Sequence, residues 1–432
     1  MTFSTYTLGC KVNTYESEFI THLFVSKGYK LVDYEENADI YIINTCTVTN
    51  SADNKSKKLI KHTRKNNPNS VIVVCGCYPQ YKNGDIDLKE DVDIILGNKD
   101  KSKIVDYVED FIKNKKQINN IYDLRKQEFE NMEIKKFKSK TRAFVKIQDG
   151  CNNFCSYCII PYVRGNIRSK KKEIVIKEIE DLVSNGHKEV VLTGIHTGHY
   201  GSDINSSLTE LLHEIGMIDG LKRIRISSIE ITELNDEFLN ELENNKLIVD
   251  HMHIPLQSGC DKTLKEMNRK YDTEYFYNKI EKIRTIRPEI SITTDVIVGF
   301  PNESEEDFNN TFEFIKKVNF SRLHVFPYSK RNGTKAAEME NQVDGKVKKC
   351  RAHILLELSK KLENDYYNKY KNKDVEVLFE VKKDNKYYGH TSNYLEVEVT
   401  SNKDITNELH LVHITDIVGN KCIGELKITE KV

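Results

Sequence analysis

Three cysteines lie close together at residues 149–158, in the segment DGCNNFCSYC, and constrain this chain more than any other feature. Cys151, Cys155 and Cys158 follow a strand-like run with the spacing Cys-x3-Cys-x2-Cys, so their thiolates can point into one small volume. A closed structural zinc site needs four ligands, whereas a four-iron cluster held by three cysteines leaves one iron without a protein ligand. The spacing favours an iron–sulfur cluster with an open position, and a zinc knuckle that borrows a fourth ligand is the alternative.

A second set of three cysteines is distributed over the first part of the chain. Apolar strand-like runs alternate there with helix-like segments, which predicts a parallel sheet covered on both faces; the runs are residues 3–8, 40–43, 71–74 and 92–96, and the helices 15–27, 52–66 and 101–112. Cys10, Cys46 and Cys77 each follow the carboxyl end of a different strand, the edge at which open α/β sheets build their sites. We expect these thiols to converge, the alternative being three unrelated buried cysteines. Cys75 still belongs to its strand, so Cys77, beyond Gly76, is the preferred ligand.

Composition narrows the class of protein. Ten cysteines in 432 residues without a secretory signal indicate reduced thiols in the cytoplasm. No apolar run approaches the ~18 residues of a membrane span, and the net charge is zero, so the whole-chain charge does not indicate a nucleic-acid partner. We expect a soluble, cytoplasmic protein in which Cys75, Cys260, Cys350 and Cys422 fill cores.

The remainder of the chain predicts two further domains joined by simple connections. Strand and helix patterns alternate again after residue 141; the strands are 143–147, 189–193, 223–227, 251–254, 291–298 and 323–326, and the helices 173–184, 208–215, 235–244, 273–286 and 304–318. Six strands suit an open, partial barrel with its site at the carboxyl ends of the strands. Residues 113–140 resemble a linker with solvated lysines at 135, 136, 138 and 140, and residues 346–370 a long helix. Alternating runs at 375–381, 394–399, 410–417 and 423–428 predict a small antiparallel barrel.

The predicted fold class is therefore α/β, with an N-terminal parallel-sheet domain, a central partial (βα)6 barrel and a small C-terminal antiparallel β-barrel. The predicted boundaries are residues 1–120 for the first domain, 121–140 for a linker, 141–345 for the partial barrel, 346–372 for a connecting helix and 373–432 for the last barrel.

Several motifs resemble those of the methylthiotransferases, a branch of the radical S-adenosylmethionine (SAM) enzymes, over nearly the whole chain. These motifs are LGCKVN at 8–13, NTCTVT at 44–49, GCNNFC at 150–155 with CIIP at 158–161, LTGIHTGHY at 192–200, and HIPLQSG at 253–259. They look most like the branch that modifies threonylcarbamoyladenosine in tRNA, and the Lys11-Val12-Asn13 form favours that branch. Relatives that act on isopentenyladenosine in tRNA, or on an aspartate of a ribosomal protein, remain alternatives.

The resemblance implies a set of cofactors and partners. Two 4Fe–4S clusters are implied, one on Cys151, Cys155 and Cys158 and one on the N-terminal cysteine trio. SAM would chelate the open iron of the first cluster and yield a 5′-deoxyadenosyl radical, while the second cluster would hold the sulfur to be inserted and a second SAM would supply the methyl group. The implied partners are the anticodon loop of a tRNA, recognised partly by a TRAM-like C-terminal barrel, an electron donor such as flavodoxin or ferredoxin, and an unknown sulfur donor. No membrane partner is implied.

Three residues are candidates for binding SAM. Gly194, near a strand end, would let SAM approach the backbone; an ordinary loop glycine is the alternative. Glu230 would accept from the SAM amine or ribose unless it is a surface carboxylate. Arg269 would pair with the SAM carboxylate, the alternative being a helix-end salt bridge. His251 and His253 share one strand face, where a core or loop role is favoured over metal binding.

Basic and aromatic residues indicate where RNA would bind. Residues 52–66 carry Lys55, Lys57, Lys58, Lys61, Arg64 and Lys65, and a second basic run after Cys158 contains Arg164, Arg168, Lys170, Lys171 and Lys172. Both runs lie beside a proposed cluster loop and can contact phosphates, with solvated faces as the alternative. Phe379, Tyr387, Tyr388 and Tyr394 are candidates for base stacking, with core filling as the alternative.

The resemblance implies a tRNA methylthiotransferase that acts at carbon 2 of N6-threonylcarbamoyladenosine next to the anticodon. The alternative from another class of protein is a zinc-stabilised RNA-binding protein without catalysis.

Overall fold

The N-terminal domain is a six-stranded parallel sheet in the order β2-β1-β3-β4-β5-β6 in the computed structural model, which describes residues 1–137 and 141–427. Its elements are β1 Thr2–Thr7, α1 Lys11–Ser26, β2 Lys30–Leu31, β3 Ile40–Thr45, α2 Asn50–Asn66, β4 Val71–Gly76, α3 Cys77–Tyr81, β5 Ile94–Leu96, α4 Ile104–Asn114 and β6 Ile118–Asn120. Strands β3 and β4 are buried throughout, because α1 and α4 pack on one face of the sheet and α2 on the other. The prediction of a parallel sheet covered on both faces is confirmed.

The central domain is a partial barrel of six parallel strands. Its elements are β7 Arg142–Lys146, β8 Gln148–Asp149, α5 Ile160–Arg164, β9 Arg168–Ser169, α6 Lys172–Ser184, β10 Glu189–Thr193, α7 Leu208–Ile215, β11 Arg223–Ile226, α8 Asp236–Asn244, β12 His251–His253, α9 Asp261–Glu266, α10 Thr273–Ile286, β13 Ser291–Val298, α11 Glu305–Val318, β14 Arg322–Pro327, α12 Lys335–Glu338 and α13 Gly345–Asn368. The barrel strands pair as β11-β10-β7 and β12-β13-β14, and one parallel bridge between Ile224 and Ile248 joins the halves. Strands β8 and β9 form a separate antiparallel pair at the start of the cysteine loop.

Alternate residues of each barrel strand face opposite sides. Ile224 and Ile226 of β11 and Met252 of β12 pack with the surrounding helices in the main hydrophobic core. Arg225 and His251 therefore lie on the opposite, concave face. The concave face is polar, unlike the packed interior of a closed eight-stranded barrel.

The connection before the barrel is not the solvated linker that its composition suggests. Met132, Ile134 and Phe137 are at most 5% exposed and pack into the main core. Lys135 and Lys136 are exposed, as predicted, while residues 138 and 140 lie outside the described part of the chain. The prediction erred because three apolar side chains at short spacing anchor the segment to the barrel, whereas its many lysines dominate the composition.

The C-terminal domain is a closed five-stranded barrel in the order β15-β16-β17-β19-β18. Its strands are β15 Asp374–Lys383, β16 Lys386–Thr391, β17 Glu396–Thr400, β18 Leu409–Ile417 and β19 Cys422–Leu426. All pairs are antiparallel except β17 with β19, which pair in parallel. Strand β16 was not among the predicted strands, although Tyr387 within it was considered for base stacking or core filling. The predicted end of the last strand at residue 428 lies outside the described range.

Two further sequence predictions can be compared with the fold. Cys75, Cys260 and Cys422 are buried, as predicted, but Cys350 is exposed on α13, so its prediction as a core residue is wrong. The long helix displays most of its surface to solvent, and a small apolar residue there does not need to be buried. Within residues 1–137 and 141–427 we find no helix of the length and apolarity that a bilayer span requires.

Candidate active site

The N-terminal cysteine trio converges at the carboxyl edge of the parallel sheet. Cys10 precedes α1, Cys46 follows β3 and Cys77 begins α3. Gly9, at a φ of +112°, lies so near Cys46 that an added Cβ would stand 2.9 Å from the Cys46 Cβ. Burial, and then the charges of Cys77 and Cys10, raise the pKa of the Cys46 thiol to about 12. The structure therefore brings together the three thiols predicted to share a site.

The second trio lies in the loop between β8 and α5. Asn153 N–H donates to the Cys151 Sγ at 3.5 Å, and Cys158 N–H donates to the Cys155 carbonyl at 2.9 Å. Burial, followed by the charges of Cys155 and Cys151, raises the pKa of Cys158 to about 12. Phe154 adopts a left-handed backbone conformation, with a φ of +46°, which helps the loop to turn sharply. Its ring is exposed.

Two of the predicted SAM-binding residues pair with each other. The Arg269 guanidinium donates to the Glu230 carboxylate and, through Nη1, to the Cys155 Sγ at 3.3 Å. Although burial opposes it, the charges of Tyr271 and Glu230 hold the pKa of Arg269 well above its usual value. Both residues thus lie beside the loop that carries Cys151, Cys155 and Cys158, where they form an ion pair with each other. Their contact with SAM stays a prediction.

Gly194, the third predicted SAM-binding residue, follows the end of β10. An added Cβ would lie 2.9 Å from the Gln148 Oε1 and 3.2 Å from its Cβ. Gln148 Oε1 in turn accepts from the backbone N–H of His196 at 2.8 Å. Close packing against Gln148 therefore explains the absence of a side chain, and a role in SAM binding stays a prediction.

A buried ionic network connects the two cysteine trios. Arg164, in the helix that follows Cys158, is fully buried and donates through Nε to the Cys77 Sγ at 3.3 Å. Its other donors reach Glu16 at 2.7 Å, Asn13 at 2.7 Å and Asp149 at 3.2 Å. One guanidinium thus contacts a sulfur of the N-terminal trio while belonging to the helix next to the other trio.

Glu16 of α1 is the centre of this network and is fully buried. It accepts from Arg164, from Lys146 at 2.8 Å and from Lys101 at 3.1 Å. Burial raises its pKa, but Arg164, Lys101 and Lys146 together hold that pKa well below the usual range. The carboxylate is therefore ionised and binds the N-terminal domain to the barrel.

One cavity is shared by loops from both trios. A cavity of about 240 Å³ is lined by Cys158 and its neighbour Ile159 from the barrel and by Val48 and Thr49, which follow Cys46. Apolar contacts continue beside it, where Cys77 packs on Ile159 and on Val163. The loops that carry Cys46 and Cys158 therefore border one space, and Cys77 packs beside it, which the sequence could not establish.

The cysteine geometry fits clusters better than single metal ions. Among the described residues, the group of three possible ligands whose donor atoms all lie within 4.8 Å is His196, His199 and Glu233, and neither cysteine trio is that compact. A tetrahedral zinc with Zn–S near 2.3 Å would hold its sulfurs about 3.8 Å apart. In each trio one cysteine sulfur also accepts a hydrogen bond from a guanidinium. Hydrogen bonds to the ligand sulfurs are a usual feature of iron–sulfur clusters. The donor sets thus fit 4Fe–4S clusters with three protein ligands each.

His196 and Glu233 lie beside the second trio and were not predicted as site residues. The His196 Nδ1 is 3.7 Å from the Cys151 Sγ, and its Nε2 contacts the Glu233 carboxylate. Despite burial, hydrogen bonds to Cys151 and Glu233 raise the pKa of His196 to about 10. The signal was present in the segment at residues 192–200, which places two histidines shortly after the end of a strand.

The concave face of the barrel carries the two histidines considered in the sequence. The Thr293 Oγ1 lies 2.9 Å from the His253 Nδ1 and 3.3 Å from the His251 Nε2. His253 also faces Asp295 at 3.3 Å. Both histidines share one strand face, as predicted, and belong to a polar wall.

The prediction that the second basic run, which follows Cys158, binds RNA is largely wrong. Arg164, Arg168 and Lys170 are buried, with Lys170 paired to Glu178. Each contacts a buried acid or a carbonyl, because this segment crosses the interface between the two domains. Lys171 remains exposed, and Lys172 pairs with Glu214 at 2.6 Å.

The first basic run retains an exposed cationic face. Lys55, Lys58, Lys61 and Lys65 are exposed on α2, whereas Lys57 pairs with Asp87 and Arg64 with Asp93. The helix begins next to the shared cavity, where Asn50 N–H donates to the Ser329 Oγ at 3.1 Å. This face is called the α2 lysine face below.

Most aromatic side chains of the C-terminal barrel that were predicted to stack on bases already pack against other residues of the protein. Phe379 and Tyr387 are at most 1% exposed and form part of the barrel core, so core filling, not stacking, is their role. Tyr394 stacks with His251 at 5.0 Å and with His390 at 4.8 Å between ring centres, although the residue is 39% exposed. Tyr388 is half-buried under Lys421.

Known proteins are similar to this chain in sequence and in fold. Residues 2–97 match the Uncharacterized protein family UPF0004, and residues 145–315 match the Radical SAM superfamily. Threonylcarbamoyladenosine tRNA methylthiotransferase MtaB of Bacillus subtilis is 45% identical over 96% of this chain and 93% of its own. The tRNA-2-methylthio-N(6)-dimethylallyladenosine synthase of Clostridium perfringens is 37% identical over 97% and 96%.

A solved structure extends the likeness to the fold. The radical S-adenosylmethionine methyltransferase TsrM from Kitasatospora setae, with cobalamin and a [4Fe-4S] cluster bound, superposes with a TM-score of 0.57 at 12% identity. The match covers 78% of this chain and 77% of that chain. At this identity the likeness concerns the fold.

Proposed function

Because the chain belongs to the methylthiotransferase family of radical SAM enzymes, we propose that it adds a methylthio group at carbon 2 of N6-threonylcarbamoyladenosine beside a tRNA anticodon. The proposal is supported by the cavity that is lined by Cys158 and by the residues after Cys46, with Cys77 packed beside it. Sulfur insertion into a C–H bond needs one centre that makes the radical and another that holds the sulfur. A binding protein without catalysis would need neither arrangement.

The cofactors of this enzyme family are two 4Fe–4S clusters and SAM. Cys151, Cys155 and Cys158 would hold one cluster, and Cys10, Cys46 and Cys77 the other. When bound, the first cluster and SAM supply radical abstraction of hydrogen from an unactivated carbon, which no acid or base can perform.

The chain's own residues position these groups. Arg269 donates to the Cys155 sulfur and is held in place by Glu230. In the same way, Arg164 donates to the Cys77 sulfur and is held in place by Glu16. The Glu16 network fixes the two domains, and therefore the separation of the two centres, because a buried carboxylate with three cationic partners resists displacement.

The α2 lysine face would bind the RNA backbone. It begins at the rim of the shared cavity, and four exposed lysines there can each neutralise a phosphate. A base in an anticodon loop is unpaired and can enter such a cavity. A cytoplasmic location and an electron donor such as flavodoxin or ferredoxin complete the proposal.

Nucleoside analysis tests the reaction. tRNA from cells that lack the gene should contain threonylcarbamoyladenosine without its methylthio derivative, and plasmid-borne expression should restore the derivative. Persistence of the methylthio derivative would refute the proposal. Loss of methylthio-isopentenyladenosine instead would assign the chain to the activity named for its 37% identical relative.

Metal analysis tests the centres independently of the substrate. Protein purified without oxygen should contain about eight irons with acid-labile sulfide. Cys10→Ala and Cys151→Ala should each remove about half of the iron, whereas Cys350→Ala, at an exposed cysteine outside both trios, should remove none. Zinc without sulfide would instead support a structural metal site.

A further inference from the structure

One segment of the barrel contacts the loops of both cysteine trios. Residues 328–336 run from the end of β14 into α12 and are called the bridging segment below. On the barrel side, the Ala336 N–H donates to the Ser156 carbonyl at 2.7 Å, inside the loop of the second trio. Tyr328 and Ala336 also belong to an apolar group against which Tyr157 of that loop packs. The bridging segment is therefore anchored to the loop of the second trio.

The same segment contacts the N-terminal domain. Asn50, the first residue of α2, donates through its backbone N–H to the Ser329 Oγ and through Nδ2 to the Lys330 carbonyl, both at 3.1 Å. Tyr81, the last residue of α3, donates through its hydroxyl to the Asn332 carbonyl at 3.3 Å. The bridging segment thus contacts both helices that follow, or begin with, a cysteine of the N-terminal trio.

Arg331 makes the closest contacts between the bridging segment and the N-terminal trio. Its side chain is 2% exposed, and its Nη2 donates to the Thr47 Oγ1 at 2.7 Å. Its Nη1 donates to the Asn50 Oδ1 at 2.6 Å and pairs with the Asp53 carboxylate at 2.9 Å. The Thr47 hydroxyl in turn donates to Asp53 at 2.6 Å. Arg331, Thr47 and Asp53 therefore form a closed ring of contacts that holds the residue directly after Cys46.

The arrangement depends on an arginine and not on positive charge alone. A guanidinium holds several N–H donors in one plane, so it can contact Thr47 and Asp53 at the same time. A lysine ammonium would keep the charge beside Asp53 but would not reproduce the planar set of contacts. The Arg331 guanidinium also lies over the Tyr81 ring, 4.5 Å from the ring centre. Its orientation is therefore fixed by hydrogen bonds and by an aromatic face.

The bridging segment also forms part of the shared cavity. Tyr328 and Ser329 line that cavity together with Val48 and Thr49, which lie in the segment that Arg331 holds. The walls of the cavity therefore come from the bridging segment and from the loops of both trios. Because Arg331 joins the bridging segment to the N-terminal loop, a change at this residue would move one wall relative to the others.

We propose that Arg331 is a positioning residue that holds the N-terminal trio in register with the second trio, so that the sulfur centre and the radical centre act on the same carbon. This inference rests on the proposed function. The Glu16 network joins the two domains beside Cys77, whereas Arg331 acts at the loop after Cys46. Reactions that require two oriented groups are sensitive to their placement, and a shift of about 1 Å can cost about 100-fold in rate.

The ratio of two products tests this role. Reconstituted enzyme is incubated with SAM, dithionite as reductant, sulfide, and a saturating anticodon stem-loop that carries threonylcarbamoyladenosine. Arg331→Lys should release 5′-deoxyadenosine within about 3-fold of the wild-type rate but form about 10- to 100-fold less methylthio product. Thr47→Val, which removes the hydroxyl that Arg331 contacts, should change the ratio in the same direction.

Three controls separate positioning from general damage. Arg322→Lys, at an exposed arginine at the other end of β14, is the matched variant and should keep the wild-type ratio. All variants should retain about eight irons. Hydrogen exchange, which needs no turnover, should be faster in Arg331→Lys than in wild type at residues 46–56, and unchanged in α4 of the same domain.

The outcomes distinguish this inference from the proposed function. A wild-type product ratio in Arg331→Lys and Thr47→Val, or unchanged exchange at residues 46–56, would overturn the positioning role and leave the function intact. A parallel loss of both products, or loss of half of the iron, would also overturn it, because Arg331 would then maintain the fold or retain a cluster. Wild-type methylthiolation of an isopentenyladenosine stem-loop in place of the threonylcarbamoyladenosine stem-loop would refute the proposed function itself.

Discussion

Replacing Glu16 by Gln should destabilise the protein more than any conservative change at the surface. The substitution keeps the shape of the side chain but removes the charge that three buried cations share at 2.7 to 3.1 Å. Arg164, Lys146 and Lys101 would then retain Asp149 as the remaining acid of the network. Breaking a buried ionic network in this way costs about 3–5 kcal/mol, because uncompensated charge is left in the interior.

Urea unfolding followed by far-ultraviolet circular dichroism is the suitable assay, since the chain has no tryptophan. With a slope of about 1–3 kcal/mol/M for one domain, the midpoint should fall by at least about 1 M. Glu35→Gln, at an exposed glutamate of the same domain, is the control and should leave the midpoint unchanged. A midpoint for Glu16→Gln equal to that of the control would refute the role assigned to the network.

The same carboxylate predicts a pH dependence. Its pKa in the folded protein is held well below the ordinary value of 4.5. A group with a lowered folded pKa stabilises fully above its unfolded pKa and loses that contribution as the pH falls through the folded value. The stability difference between wild type and Glu16→Gln should therefore be constant near neutral pH and shrink only below about pH 4.5.

Further changes test other parts of the site. Arg164→Met removes the N–H donor at the Cys77 sulfur, so the N-terminal cluster should become harder to reduce, by on the order of 50 mV in a redox titration followed by electron paramagnetic resonance; an unchanged potential would contradict this. Lys55, Lys58 and Lys61 changed together to Gln should weaken binding of every stem-loop alike and lower the slope of log K against log salt by about 2–3, whereas a base-specific effect would argue against backbone contact. Brief alkylation of the native protein should modify Cys350 and spare Cys75, Cys260 and Cys422, as mass spectrometry would show; modification of a buried cysteine would indicate opening of its domain.

The sequence was sufficient for features that follow from periodicity and from strand ends. Cys10, Cys46 and Cys77 could be grouped because parallel strands end at one edge of a sheet, and the boundaries of most barrel helices follow from apolar spacing. Strand β16 was missed because aromatic residues in a short hairpin are equally compatible with a loop.

Burial of charge could not be predicted in the same way. Arg164 and Lys170 have the same chemistry as exposed RNA-binding residues, and only the fold places Glu16 and Glu178 beside them. The reverse holds for Cys350, whose residue type favours burial while its position on α13 exposes it. Pairings across domains, such as Arg225 with Tyr394, have no local sequence signal at all.

The position of Arg164 has a consequence for how the chain tolerates change. Cys158 and Arg164 are joined by the five-residue helix α5, which spans about 7 Å at a rise of 1.5 Å per residue. This short helix fixes a distance: Cys158, of the second trio, lies two residues before its first residue, and its last residue donates to the Cys77 sulfur of the N-terminal trio. An insertion of one residue in α5 would rotate Arg164 by about 100° and remove it from Cys77. Length variation should therefore be tolerated in the surface loops of the barrel but not in α5.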